Sequence, residues 1–183
     1  MKKVVRKIFF AWNEDKEKLF LEDMAMKGYR LEKVQLGKYT FEEDIPRKLI
    51  YQFDFKSFGN MGEEEYLQLY RDSGWDLVCK FSGWYYFSRE WEEDTDITIF
   101  SNNESKRAKY KRLLVFLAIT GFPLYYQTLI FFPLLEKIDF GGSEYSKFYI
   151  FSRVILLIVT GLHMFAMVKM IKVYFRLRRS INE

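Results

Sequence analysis

The sequence contains one cysteine and one histidine, and this scarcity limits the chemistry available to the chain. A single thiol, Cys79, excludes an internal disulfide and a metal site built from cysteines. The only imidazole, His163, lies in an apolar stretch, so no serine–histidine–carboxylate or cysteine–histidine set is available for nucleophilic catalysis. A phosphate-binding glycine loop is also missing from the sequence. We therefore expect a protein that is not an enzyme and that holds no metal or cofactor.

Charge is missing from residues 113–135, a run of 23 residues. At about 1.5 Å per residue, a helix of this length measures roughly 35 Å, enough to cross a hydrocarbon core of about 30 Å. A second segment, residues 149–168, is apolar apart from Arg153. An arginine close to the end of a span extends its guanidinium to the membrane surface. The sequence therefore predicts two transmembrane helices.

The charge is distributed unevenly along the chain, with a net −4 in residues 1–100 and a net +8 in the remainder. The basic residues flank the apolar segments and do not indicate nucleic-acid binding, which needs a basic folded face. These flanks predict attraction to anionic lipid headgroups, worth about 1 kcal/mol per charge near the surface. The acidic N-terminal part predicts no such attraction.

The basic flanks also predict an orientation. Five lysines or arginines precede the first apolar segment and five follow the second, whereas residues 136–147 contain only two. The positive-inside rule then predicts a two-pass protein of the cell membrane with both termini in the cytoplasm. The expected parts are a cytosolic domain (1–90), a linker (91–112), a first transmembrane helix (113–135), a short outer loop (136–148), a second transmembrane helix (149–168) and a basic cytosolic tail (169–183).

The N-terminal part shows strand and helix patterns in a repeated order. Eight positions between Phe20 and Phe87 match at one offset of 46 residues, for example Gly28 with Gly74 and Gly37 with Gly83. Glycine is common at helix ends and hairpin turns because both often need a positive φ. The pattern predicts an α+β fold, a two-fold repeated βαββ sandwich of the ferredoxin-like type. Residues 3–12, apolar on both faces, predict an interior strand.

Aromatic residues are more numerous in this domain than one small helix–sheet interface normally holds. We expect some of them to form a second apolar surface that serves as a ligand pocket or an association face. The alternative is that they fill the core and pair across strands. The candidate binding face consists of Tyr51, Phe53, Trp75, Trp84 and Tyr86.

The two apolar segments share a Thr-Gly pair at a similar distance from their basic ends. Small residues allow two helices to approach closely within a membrane. We therefore predict a helix–helix contact at Thr120, Gly121, Thr160 and Gly161, with His163 forming a hydrogen bond between the helices.

Several short motifs of the domain are characteristic in combination: Gly28-Tyr29-x-Leu31, Tyr39-x-Phe41, Tyr51-x-Phe53-Asp54, Glu65-Tyr66, Gly74-Trp75 and Gly83-Trp84-Tyr85-Tyr86-Phe87. With the two hydrophobic segments that follow, the chain resembles a bacterial membrane protein family catalogued as domain of unknown function 2812. The resemblance is dense over residues 5–90 and extends to the apolar segments only in layout. It implies no established activity. It does imply a regulatory setting, because such genes commonly neighbour transcriptional repressors of the PadR type.

Two functions remain open at this point. The first is a membrane-anchored cytosolic sensor or protein-interaction module without catalytic activity, with a protein partner or a second copy of the chain as its counterpart. The alternative is a structural accessory subunit of a larger membrane complex, which packs through its transmembrane hairpin.

Overall fold

The computed structural model describes residues 1–56, 62–91, 103–135 and 143–182. The chain forms two compact units, Met1–Lys109 and Tyr110–Glu183. Residues 92–102 of the expected linker and 136–142 of the expected outer loop lie outside the described residues.

The first unit contains the order strand–helix–strand–strand twice. Its elements are β1 (Lys2–Arg6), a 3-10 turn (Ala11–Asn13), α1 (Glu14–Met26), β2 (Tyr29–Gln35), β3 (Lys38–Glu43), β4 (Leu49–Phe55), α2 (Glu63–Asp72), β5 (Asp76–Phe81) and β6 (Trp84–Glu90). Three acidic residues occupy the first turn of each helix, where they complement the positive end of the helix dipole.

The strands form two antiparallel sheets of three strands, in the orders β1-β3-β2 and β4-β6-β5. The α+β class is therefore confirmed. A ferredoxin-like fold would instead place the strands in one sheet with both helices on one face. Here the first strand of each half pairs with the hairpin of the same half: β1 with the hairpin β2-β3, and β4 with the hairpin β5-β6.

Irregularities of the two sheets recur at the 46-residue offset. The pairing of β2 with β3 shifts between Leu31 and Lys33, and that of β5 with β6 shifts between Leu77 and Cys79. Four glycines with positive φ show the same offset: Gly28, Gly37, Gly74 and Gly83. Bulges bend and twist the strand that carries them, so both sheets are deformed at equivalent positions.

The second sheet is covered on both faces. The larger core contains side chains from α1, the first sheet and one face of β4 and β6, including Leu21, Phe41, Tyr51 and Phe53. On the opposite face of the second sheet, Tyr66 and Tyr70 of α2 form a second core with Phe87 of β6 and with Trp75, which precedes β5. This double cover explains why six of the seven residues of β4 are buried.

The prediction of an interior strand at residues 3–12 is wrong. β1 ends at Arg6, lies at the edge of its sheet and exposes four of its five residues. Only Val5 and, beyond the strand, Phe9 pack against the core. In this segment, apolar residues on both faces of the strand are therefore not a sign that both faces are buried.

The apolar part of the chain is helical. α3 (Asn103–Tyr126) continues through a π-helical turn (Gln127–Phe131) into α4 (Phe132–Leu135), and α5 comprises Ser143–Asn182. Two segments are long and apolar enough to span a membrane, Ser105–Leu135 and Lys147–Arg179. Residues 103–112, expected as linker, are helical. Residues 143–148, expected as loop, belong to α5, which also continues through the expected tail to Asn182.

Candidate functional site

A cavity of about 100 Å³ lies in the first unit beside the N-terminal half of α1. Its walls are largely aromatic and include Phe9, Tyr39, Phe53, Trp84 and Tyr86. Three charged side chains also line it: Lys7, Glu14 and Glu17. Carboxylates inside aromatic walls are unusual, because ionised groups are seldom buried unless a partner compensates them.

Glu17 reaches this cavity from α1 and is only 7% exposed. Its Oε1 accepts hydrogen bonds from the hydroxyls of Tyr39, at 2.6 Å, and Tyr86, at 3.0 Å. Among the described residues, no donor reaches Oε2. The carboxylate thus has one oxygen with two partners and a second oxygen available to a further donor.

Burial raises the pKa of Glu17, although the hydrogen bonds from the two tyrosines act in the opposite direction. Desolvation and the neighbouring carboxylate also raise the pKa of Tyr39 and of Tyr86, so both remain protonated donors. A bound cation would favour the ionised form of Glu17 and would lower its pKa.

Glu14, one helical turn earlier, is compensated within the unit. Its Oε2 lies 2.6 Å from Nζ of Lys109 and its Oε1 lies 2.9 Å from Nζ of Lys18. Lys109 also donates to the carbonyl oxygen of Phe53 at 2.9 Å, and Lys18 donates to Oε1 of Gln52 at 2.7 Å.

The two lysines determine the ionisation of Glu14. Burial alone would raise the pKa of Glu14, but attraction to Lys109 and Lys18 and hydrogen bonds from both lower it to about 2. Glu14 is therefore ionised at neutral pH and already paired. Glu17 remains as the cavity carboxylate that can bind a ligand.

The predicted binding face is divided between two cores. Phe53, Trp84 and Tyr86 line the cavity, and the rings of Phe53 and Tyr86 are 4.6 Å apart across the paired strands. Tyr51 belongs to the same core but does not line the cavity. Trp75 lies on the other face of the second sheet, in the core formed with α2.

The sequence prediction missed Glu14, Glu17, Tyr39 and Lys109. Acidic residues in a first helical turn are explained by the helix dipole. Because this explanation is sufficient, the spacing of the acidic residues along α1 was not considered. Glu14, Glu17, Leu21 and Met24 recur at intervals of three and four residues, which places them on one face of α1. Both carboxylates therefore share the face that is buried.

A second polar cluster joins α2 to β4. The hydroxyls of Tyr66 and Tyr70 donate to Oδ2 of Asp54 at 2.9 and 3.1 Å, and the ring of Tyr70 stacks on Phe87 at 3.9 Å. Burial, followed by the nearby Asp54 charge, raises the pKa of Tyr66. The cluster satisfies a buried carboxylate at a helix–sheet interface, so we assign it a structural role.

In the second unit, the predicted helix contact is formed by only some of its residues. Gly121 lies against His163, since a Cβ added to the glycine would be 2.6 Å from Cε1 of the imidazole. The hydroxyl of Thr120 is exposed and donates to carbonyls of its own helix. At Gly161 an added Cβ would meet no atom within 4 Å.

Hydrogen bonds between polar side chains connect the two helices at Tyr125 and Thr128 of the first and Thr160 and His163 of the second. The hydroxyl of Tyr125 hydrogen-bonds Nδ1 of His163 at 2.9 Å, and the hydroxyls of Thr128 and Thr160 are 2.8 Å apart. Thr160 thus contacts Thr128 rather than Thr120, two helical turns away from the predicted register. Polar contacts of this kind stabilise helix pairs where lipid provides no hydrophobic driving force.

The first apolar helix departs from α-helical geometry between its two prolines. In the π-helical turn, the N–H of Phe132 donates to the carbonyl of Gln127. Pro133 lacks an N–H and cannot bond the carbonyl four residues earlier, so a local change of bonding at this place is expected. The carbonyl of Phe132 accepts a hydrogen bond from the hydroxyl of Tyr149 on α5 at 2.8 Å.

No group of three or more potential metal-ligating side chains is found among the described residues. What defines the molecule is a mixed α+β unit with a small polar–aromatic cavity, together with two long apolar helices. A family model described as "Protein of unknown function (DUF2812)" matches residues 13–122, and the chain belongs to this family. The family resemblance inferred from the motifs is thereby confirmed. No curated protein and no solved structure matches the chain.

Proposed function

We propose that this chain is a membrane-anchored binding module. In this proposal the two apolar helices cross the cell membrane and the first unit binds a small ligand, or a single side chain of a partner protein, in its cavity. Two segments of membrane-spanning length and composition support the anchoring. The function is non-catalytic, with a regulatory role as sensor or interaction module.

The orientation in this proposal places both termini in the cytoplasm, since basic residues accumulate before the first span and after the second. Lys169, Lys172 and Arg176 then lie near the cytoplasmic headgroups, where each charge contributes about 1 kcal/mol with anionic lipids. The first unit is cytosolic, which is consistent with its single free thiol.

We further infer that the first unit arose by duplication of a βαββ element. The sheet orders, the bulges and the positive-φ glycines all support this inference, because each recurs at the same offset. The halves differ at the cavity, however. Glu17, on α1, corresponds to Glu63 on α2, which is exposed and pairs with Lys80. Glu63, the equivalent of Glu17 in the second half, is therefore not a buried carboxylate.

The observation that carries the proposal is the carboxylate of Glu17, held by two tyrosines inside aromatic walls with no donor at Oε2 among the described residues. Such a site favours a hydrogen-bond donor on a short apolar stem. A primary ammonium suits it best, because aromatic rings and a carboxylate both attract a cation.

The test uses the full chain in detergent micelles, titrated with n-propylammonium and, for comparison, n-propanol. Trp84 lines the cavity and its fluorescence reports occupancy. We expect saturable binding of the ammonium that strengthens as the pH rises through the raised pKa of Glu17. Glu17→Gln should weaken this binding by about tenfold or more, the value of one charge-assisted hydrogen bond.

The matched control is Glu65→Gln, which removes an exposed carboxylate from α2 and should leave binding unchanged. Equal affinity of the parent chain and Glu17→Gln for n-propylammonium, or no saturable response in the parent chain, would contradict the proposed cavity function.

A further inference from the structure

One end of the first sheet carries exposed apolar side chains on two adjacent segments. Leu36, in the β2–β3 turn, is 85% exposed, and Ile8 and Phe10, which follow β1, are 67% and 53% exposed. The segments are joined by a hydrogen bond from the N–H of Lys7 to the carbonyl of Gly37 at 3.1 Å. We call these residues, 6–10 and 35–38, the sheet tip.

The local backbone explains why these side chains are exposed. After β1 the backbone at Phe10 is extended, and in an extended segment neighbouring side chains point to opposite sides. Phe9 turns inward, where its ring lies against Phe20 and Tyr39, while its neighbours Ile8 and Phe10 turn outward. Hydrophobic exposure at the sheet tip is thus a consequence of burying Phe9.

Basic residues surround the exposed apolar side chains. Arg6 lies directly opposite Lys38 in the pairing of β1 with β3, and Lys7 is next in sequence. The sheet tip contains no acidic residue. Like charges facing each other across two strands destabilise a sheet, so the stability of the fold does not account for this arrangement.

The opposite end of the same sheet is rich in carboxylates. Glu43 there pairs with the N-terminus, Glu32 pairs with Lys2, and Glu42 and Asp44 lie near Arg30. The carboxylates at that end are paired with basic groups, whereas the sheet tip contains basic residues and no carboxylate. The low attraction to an anionic surface expected from the net charge of this unit thus takes no account of the local charge of the sheet tip.

We propose that the sheet tip docks on an anionic lipid bilayer. Leu36, Ile8 and Phe10 enter the boundary between headgroups and acyl chains, and Arg6, Lys7 and Lys38 contact the lipid phosphates. Exposed apolar residues combined with basic ones of a single sign are the combination by which peripheral elements bind anionic membranes.

This inference rests on the proposed membrane anchoring, which keeps the unit within reach of a bilayer. A tethered surface needs only weak affinity, because tethering converts a bimolecular encounter into an intramolecular one. The complementarity in charge favours a lipid surface as the occupant over a protein partner.

The experiment places the full chain in nanodiscs that contain either phosphatidylcholine alone or about 30% phosphatidylserine, an anionic fraction in the range that attracts basic residues. With Cys79 replaced by alanine, an environment-sensitive fluorophore is attached at Leu36→Cys. The matched label is at Glu42→Cys, an exposed position on the other end of the same sheet.

We expect the label at position 36 to emit at shorter wavelength, and to lose several-fold of its quenching by iodide, only in the anionic discs. High salt should reverse both changes, and the double variant Arg6→Glu/Lys38→Glu should abolish them. The label at position 42 should not respond to lipid charge.

Equal emission at position 36 in both kinds of disc, or an equal response at position 42, would overturn the docking proposal. A label that responds to lipid charge but not to salt or charge reversal would overturn it as well. Failure of the chain to co-purify with either disc would contradict the membrane anchoring itself, so the two failures are distinguishable.

Discussion

Glu14→Gln tests the energetics around the cavity most sharply, because the substitution keeps the shape of the side chain and removes its charge. In the native unit the carboxylate is buried between Lys109, at 2.6 Å, and Lys18, at 2.9 Å. The variant leaves Lys109 buried without its counter-ion. Loss of one partner from a buried ion pair is strongly destabilising, since the remaining charge is uncompensated.

The size of the effect follows from the pKa of Glu14. The pKa is lowered from 4.5 to about 2 in the folded chain, and this difference corresponds to about 3 kcal/mol of unfolding free energy. A lowered carboxyl pKa stabilises the fold above pH 4.5, and this contribution is lost as the pH falls toward 2. We therefore expect Glu14→Gln to cost about 3 kcal/mol at pH 7 and progressively less between pH 4.5 and 2.

The assay is guanidinium unfolding of the full chain in detergent, followed by tryptophan fluorescence. All four tryptophans lie before residue 92, so the signal reports the first unit. With a slope of about 3 kcal/mol per molar, the midpoint should fall by about 1 M. Asp15→Asn, the exposed neighbour in the same helical turn, is the control and should cost no more than about 0.5 kcal/mol.

A second variant tests the ion pair independently of the charge left behind by Glu14→Gln. Because burying a charge pair is itself costly, the double substitution Glu14→Leu/Lys109→Met should recover most of the stability lost in Glu14→Gln. Unfolding free energies for Glu14→Gln that stay within about 0.5 kcal/mol of the parent chain at pH 7 would refute the assigned role of the ion pair.

Three further outcomes follow from the structure. Gly28→Ala should cost about 2 kcal/mol in the same unfolding assay, because φ at this residue is +79° and the new Cβ would lie 2.8 Å from a backbone oxygen. The control Gly62→Ala should be nearly neutral, since the new Cβ would meet no atom within 4 Å. Gly121→Ala should lower the temperature of helix loss measured by circular dichroism in detergent, whereas Gly161→Ala should not. Cys79, whose pKa burial raises to about 11, should be alkylated at pH 8 about a hundredfold more slowly than in the unfolded chain; equal rates would contradict its burial.

Local sequence signals predicted the elements of the first unit well. Alternation identified the strand at Leu49–Phe55, and glycines located the helix ends and hairpin turns to within a few residues. The assembly of the strands was less predictable. A hairpin is specified by its own turn, but whether two hairpins join in one sheet depends on edges that are distant in sequence. Local signals therefore did not reveal that the strands form two separate sheets, or that β1 lies at the edge of the first sheet.

The cavity was also only partly predictable, because it too depends on contacts between residues that are distant in sequence. Its aromatic walls could be anticipated, and three of the five predicted residues line it. Its charges could not, because the partner of Glu14 is 95 residues away in sequence, at Lys109. Acidic residues at a helix start have a sufficient local explanation, so only the periodicity of Glu14, Glu17 and Leu21 pointed inward.

The helix contact was predicted from distances to the basic flanks, a measure that tolerates errors of a turn or more. The contact between Thr128 and Thr160 differs from the predicted register by two turns. Similar depth only makes a contact between two residues possible. The contacts that form are between side chains that can hydrogen-bond, namely Thr128 with Thr160 and Tyr125 with His163.

The most direct test of the membrane anchoring is an alkaline carbonate wash of membranes from cells that express the full chain. Carbonate removes proteins attached by charge and leaves proteins held by spanning helices, because it does not dissolve the hydrocarbon core. If the two apolar helices span the bilayer, the chain should stay entirely in the membrane pellet. Its release into the supernatant would contradict the anchoring on which the proposed function depends.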